Sequence, residues 1–143
     1  VLPGVIRTIY FAGSISGGRG DADLYRQIIR LLSEYGQVLT EHVGDPQLTS
    51  GGETRRSGAE VYRQDMDWLA QADVLVAEVT MPSHGVGYEI ASAERMGKPV
   101  LCLHRSGTGR RLSAMLGGNP ALQCERYASL EEVEAILQRF FGS

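Results

Sequence analysis

The sequence predicts an α/β fold: a single doubly wound sheet of five parallel strands, flavodoxin- or Rossmann-like, with helices on both faces. Three observations carry that prediction. Apolar runs recur at residues 5–12, 74–79 and 100–104, and they are nearly continuous, as in strands buried between two helix layers. Segments with helical hydrophobic spacing separate them. The loops after the first and third strands are glycine-rich, and it is outside the carboxyl ends of the strands that such sheets bind ligands.

In order, residues 5–12 give the first strand, which stops at Gly13-Ser14-Ile15-Ser16-Gly17-Gly18-Arg19-Gly20. A helix follows, with Leu24, Ile28, Leu31, Leu32 and Tyr35 at helical spacing, Asp21 or Asp23 as cap and Gly36 as terminator. Residues 37–41 give the second strand. Residues 42–58 are polar and turn-rich and read as a mobile excursion, a candidate lid. The next helix, about residues 59–72, leads into the third strand at 74–79. The helix carrying Glu89 runs to Met96, with Gly97 and Pro99 as stop signals. A fourth strand at 100–104, a short helix near 111–116, a fifth strand around 122–127 and a helix at about 130–141 complete the alternation. With strand order 2-1-3-4-5, strands one and three are neighbours, and a crevice opens between the loops at 13–20 and 82–89.

At 143 residues and 43% hydrophobic, residues 1–143 are expected to form a single catalytic domain. A net charge of −3 gives no basic field for a polynucleotide. No apolar run approaches the ~18 residues of a membrane span, and no signal core is evident at the N-terminus. The expectation is a soluble intracellular protein, cytoplasmic or nuclear. Cys102 and Cys124 suit buried thiols better than a disulfide or a metal site.

Glu89 lies in Ser83-His84-Gly85-Val86-Gly87-Tyr88-Glu89, directly after the third strand, where Gly85 and Gly87 let a small substrate approach the backbone. The bland alternative is an acid in a helix's first turn, favoured by the helix dipole. On a helical wheel Asp65 shares a stripe with Val61, Trp68, Leu69 and Ala72. A carboxylate there lines a cavity, answers a specific partner or makes a structural hydrogen bond. Two carboxylates at one crevice suit a nucleophile and a proton handler for cleaving a glycosidic bond. The first loop can direct N–H groups at an anion, with Ser14, Ser16 and Arg19 as added donors, but matches neither a Walker A nor a dinucleotide pattern. Arg105, Arg110 and Arg111 read as a solvated basic loop, and His42, His84 and His104 lack metal spacing.

Six ordered blocks are more specific than any one loop. They are Phe11-Ala12-Gly13-Ser14-Ile15, Leu39-Thr40-Glu41-His42-Val43, Gln64-Asp65-Met66-Asp67-Trp68-Leu69, residues 72–80, Gly85-Val86-Gly87-Tyr88-Glu89 and Leu112-Ser113-Ala114-Met115. Together they resemble the 2′-deoxynucleoside 5′-phosphate N-hydrolases of the nucleoside 2-deoxyribosyltransferase superfamily. The resemblance implies hydrolysis of a deoxynucleoside monophosphate to free base and 2-deoxyribose 5-phosphate, with no metal or organic cofactor. It implies Glu89 as nucleophile, Asp65 as proton handler and Tyr10 as the group placing sugar and nucleophile. Gly13, Ser14, Ile15, Ser16, Gly17, Arg19, His42, Ser83, Gly85, Gly87, Ser113, Ala114 and Met115 are the substrate-binding candidates. Ser113 is expected from the neighbouring subunit of a homodimer with composite sites.

Hydroxyls at Ser83 and Ser113 suit a phosphate, which an acidic side chain would repel. Ile15 beside the sugar serves a 2′-hydroxyl poorly and favours deoxyribose. The family's loop carries arginine where this chain has Ser16, so phosphate affinity is weaker unless Arg19 compensates. Base preference stays open, with purine acceptance as the expectation. Competing readings are a CMP-type ribonucleotide hydrolase, a 2-deoxyribosyl transferase and a nonenzymatic nucleotide sensor.

Overall fold

A computed structural model describes residues 2, 4–15, 18–40 and 57–142; the side chain of Arg19 is also outside the description. The element order is β1 (Thr8–Gly13), α1 (Gly18–Leu32), β2 (Gln37–Thr40), α2 (Gly58–Gln71), β3 (Val74–Glu78), α3 (His84–Arg95), β4 (Val100–Arg105), α4 (Ala114–Gly117), β5 (Gln123–Tyr127) and α5 (Leu130–Phe141). The five strands lie in the order β2-β1-β3-β4-β5, every pair parallel, as the sequence predicts.

Strand side chains alternate between two cores. Ile9 and Phe11 of β1, Val74 and Val76 of β3, and Leu101 and Leu103 of β4 face α1 and α5, where they meet Ile28, Leu32, Val133 and Leu137. Tyr10, Ala12, Leu75, Ala77 and Cys102 face the other way, against Leu69 of α2 and Val86, Ile90 and Ala93 of α3. Both faces of β1, β3 and β4 are therefore buried, which is why those runs are nearly continuously apolar. Because β1 feeds a helix on one face and β3 a helix on the other, their carboxyl ends diverge into a crevice.

Several boundaries move from expectation for identifiable reasons. β1 begins at Thr8, not at residue 5: the Asp73 carboxylate accepts the N–H groups of Arg7 (2.8 Å) and Thr8 (2.9 Å), and Val5 stands 78% exposed. Those two bonds hold the Asp73 carboxyl below its ordinary range. Helix α1 starts at Gly18, so neither Asp21 nor Asp23 is its cap; Asp21 sits in the first turn and pairs with Arg105 at 3.4 Å, and Asp23 pairs with Arg26. Arg105 is thus a half-buried tie between β4 and α1, not a solvated loop residue. Helix α2 opens with a capping box in which Ser57 and Glu60 satisfy each other's backbone N–H groups. Helix α4 is a single turn capped by Ser113, and Leu112 just before it packs, partly buried, on the core of that face.

Gly36 packs where a Cβ would lie 2.9 Å from the carbonyl oxygen of Arg7, so only glycine fits the approach of β2 to β1 without a shift. Among the described residues no helix is long and apolar enough to cross a membrane. Cys102 and Cys124 face each other across β4 and β5 as free thiols, and burial pushes the Cys102 thiol up.

Candidate active site

Three elements deliver the polar groups of the crevice. Tyr10 points from β1 toward α3, and its ring is fully buried. Its hydroxyl donates a short hydrogen bond to Oε2 of Glu89, half-buried in the second turn of α3. No acidic residue occupies the first turn of α3, which removes the helix-dipole reading of Glu89. Asp65 projects from the middle of α2 into the same space. Two carboxylates and a phenol thus meet at the carboxyl ends of β1 and β3, in a pocket of about 610 Å³, large enough for a nucleotide-sized ligand.

The pocket lining combines polar and apolar groups: Gly13, Ser83 and Gly85 on one hand, and Ile15, Val61, Met66, Tyr62 and Tyr88 on the other. Ser83 caps α3, its Oγ accepting the N–H of Val86 at 3.2 Å, and this leaves its O–H to donate elsewhere. Gly13 admits a second close approach: a Cβ there would meet the Tyr25 ring at 3.1 Å. Tyr62 and Tyr88 are 56% and 55% exposed, with rings edge to face at 6.2 Å and 68°. Sequence reasoning did not single out this pair. The available signal was Tyr62 three residues before Asp65 on one helix and Tyr88 adjacent to Glu89 on the next.

Other candidates lie near but not in this pocket. Ser14 is buried at the end of β1. Gly87, Ser113 and Met115 line a second, apolar groove of about 530 Å³, which meets the pocket at Ser83 and Val86 and also holds Arg111. Ala114 opens α4 beside that groove. Ser16, Gly17 and His42, and most of the candidate lid at 42–58, lie outside the described residues. Among the described residues no group of three or more His, Cys, Asp or Glu side chains is placed to hold a metal ion.

On the opposite face the fold buries an acid the sequence reading passed over. Glu78, 1% exposed at the end of β3, accepts the N–H (2.9 Å) and hydroxyl (2.8 Å) of Thr80 and the hydroxyl of Tyr127. Burial first, and then the Glu78 charge, push the Tyr127 and Tyr25 hydroxyls above their ordinary range. Tyr25 in turn hydrogen-bonds the Ser14 backbone, so this network braces the loop that follows β1.

The model of the family described as nucleoside 2-deoxyribosyltransferase matches residues 9–115, from β1 into α4, and so takes in Tyr10, Asp65, Glu89 and Ser113. The chain belongs to the nucleoside 2-deoxyribosyltransferase family. It is 51% identical over 138 residues to the 5-hydroxymethyl-dUMP N-hydrolase of Mus musculus, covering 94% of this chain and 79% of that protein. It is 48% identical over 143 residues to a Nematostella vectensis protein named putative 2′-deoxynucleoside 5′-phosphate N-hydrolase 1, covering 97% of each. The solved structure of Clostridium botulinum CMP N-glycosidase superposes with a TM-score of 0.64 at 17% identity, covering 92% of this chain and 99% of that one. That last likeness is one of fold.

Proposed function

We propose that residues 1–143 act as one catalytic domain that hydrolyses the N-glycosidic bond of 2′-deoxynucleoside 5′-monophosphates. The observation that carries this reading is the Tyr10–Glu89 hydrogen bond in a pocket shared with Asp65. Glu89 attacks C1′ as the bond to the base breaks, forming a glycosyl ester through an oxocarbenium-like transition state. Asp65 gives a proton to the departing base. Water then attacks C1′, Asp65 takes its proton, the ester bond breaks and 2-deoxyribose 5-phosphate leaves. Tyr10 holds Glu89 ionised and aimed, because a hydrogen bond to a carboxylate favours its charged form.

The sugar phosphate lies toward Gly13, Ser83 and Gly85, near the N-terminus of α3, whose free N–H groups favour an anion. Ser14 and the rest of the loop through Ser16, Gly17 and Arg19 complete that end. The base lies against Tyr62, Tyr88 and Met66, and Ile15 meets the sugar edge where a ribose hydroxyl would go unserved. Such an apolar contact discriminates by about 10- to 200-fold. The relatives' names favour a modified pyrimidine, 5-hydroxymethyl-dUMP, as the first substrate to try, in place of the purine expected from sequence.

The reading includes a homodimer in which Ser113 reaches the neighbouring site. What supports it is the apolar groove beside α4 and the 82% exposure of Met115. It also places the enzyme in the cytoplasm or nucleus, since nucleotides carry charges that keep them inside the cell. The test is base release from 5-hydroxymethyl-dUMP, its nucleoside and the matching ribonucleotide in parallel. Cleavage of the deoxynucleotide alone is expected. Cleavage of the nucleoside, of the ribonucleotide, or a new nucleoside when free base is added would favour another branch of the family.

A further inference from the structure

A phosphate dianion entering this pocket meets two carboxylates and, among the described lining residues, no lysine or arginine. Asp65 and Glu89 repel it, and the partial charge at the start of α3 is the weaker kind of compensation. Among the described residues, the groove that opens off Ser83 and Val86 supplies the cation that this lining does not. Its described lining contains a single arginine or lysine, Arg111, together with Ser83, His84, Ser113 and one carboxylate, Glu94, which accepts a hydrogen bond from Asn119. Arg111 has no ion-pair partner among the described residues, whereas Arg105 is already committed to Asp21.

Resting on the hydrolase reading above, the geometry points to Arg111 as the residue that recognises the substrate's 5′-phosphate and makes the enzyme prefer nucleotides over nucleosides. A guanidinium presents a planar fork that matches two phosphate oxygens, whereas the flanking serines each donate one hydrogen. Arg111 stands two residues before Ser113 on the same wall. Whichever subunit's Ser113 meets the phosphate therefore carries its Arg111 along. Its exposure leaves it room to fold onto the ligand and release it with product.

The test compares wild type, Arg111→Gln, Arg111→Lys and Arg110→Gln, the last being the adjacent arginine outside both linings. KM and kcat are measured for 5-hydroxymethyl-dUMP, and binding of inorganic phosphate is titrated by calorimetry. Arg111→Gln is expected to raise KM by about 10- to 100-fold with little change in kcat, and to weaken phosphate binding equally. Arg111→Lys should recover part of the loss, since it keeps the charge but not the fork. Arg110→Gln should match wild type. If wild type cleaves the nucleotide and Arg111→Gln keeps its KM and its phosphate affinity, the assignment of Arg111 is overturned. If wild type releases no base, the hydrolase reading fails separately, and the phosphate titration decides Arg111: weaker binding by the Gln variant upholds it as a phosphate ligand, and equal binding overturns it.

Discussion

Replacing Tyr10 by Phe removes the hydrogen bond from its hydroxyl to the proposed nucleophile while keeping the ring. The ring is fully buried against α3, and Phe preserves its packing, so the fold is undisturbed. The lost bond runs from a phenol to the Glu89 carboxylate. A hydrogen bond to a charged group contributes about 1.5–3 kcal/mol, and one pH unit corresponds to about 1.4 kcal/mol. The bond favours ionised Glu89, so losing it lets the carboxyl hold its proton to higher pH. The acid limb of the pH–kcat/KM profile for deoxynucleotide cleavage should therefore move upward by about one to two pH units. Attack consumes the carboxylate charge, so the bond is worth less in the transition state and the plateau should fall less than the limb moves. Base release followed by chromatography from about pH 2.5 to pH 9, a window that opens below ordinary carboxylate titration at pH ~4, measures both. An acid limb that stays in place, or moves to lower pH, would refute the role given to Tyr10.

Other consequences concern the fold. His104 is 4% exposed, and neither ring nitrogen has a hydrogen-bond partner among the described residues, so His104→Leu should raise stability by about 1–2 kcal/mol in urea unfolding; a fall would contradict the burial argument. Gly36→Ala places a methyl 2.9 Å from the Arg7 carbonyl and should cost about 1–3 kcal/mol, read as a lower Tm; an unchanged Tm would mean the β1–β2 approach yields freely. Tyr127 titrates at higher pH in the folded chain than in the unfolded one, so its contribution is complete below the unfolded tyrosine value near pH ~10 and is lost as pH rises above it. Tyr127→Phe should flatten the alkaline fall in Tm, and an equally steep fall would remove Tyr127 as a cause.

The parallel sheet and its switch point were legible because burial on both faces forces continuous apolar runs, and three of these, at β1, β3 and β4, form the centre of the sheet. Once β1 and β3 are neighbours, Gly13 and the Glu89 helix must converge, and Asp65 announced itself as a carboxylate on a core stripe. What stayed hidden depends on partners distant in sequence. Glu78 sits inside an apolar run, which hints at burial, but its bond to Tyr127 spans 49 positions that no local pattern relates. The late start of β1 follows from Asp73, 65 residues from Thr8. Arg105 read as solvated because nothing local reveals Asp21 across the sheet end. The tyrosine pair escaped notice since Tyr62 and Tyr88 lie on different helices and meet only when α2 packs on α3.

The central claim is that Glu89 is the nucleophile of a deoxynucleotide N-hydrolase, and its most direct test is base release from 5-hydroxymethyl-dUMP by wild type and Glu89→Ala at equal protein concentration. The account predicts steady release by wild type and a loss of about 1000-fold or more in kcat for the variant, with its Tm retained. A folded Glu89→Ala variant that releases base at the wild-type rate would contradict it.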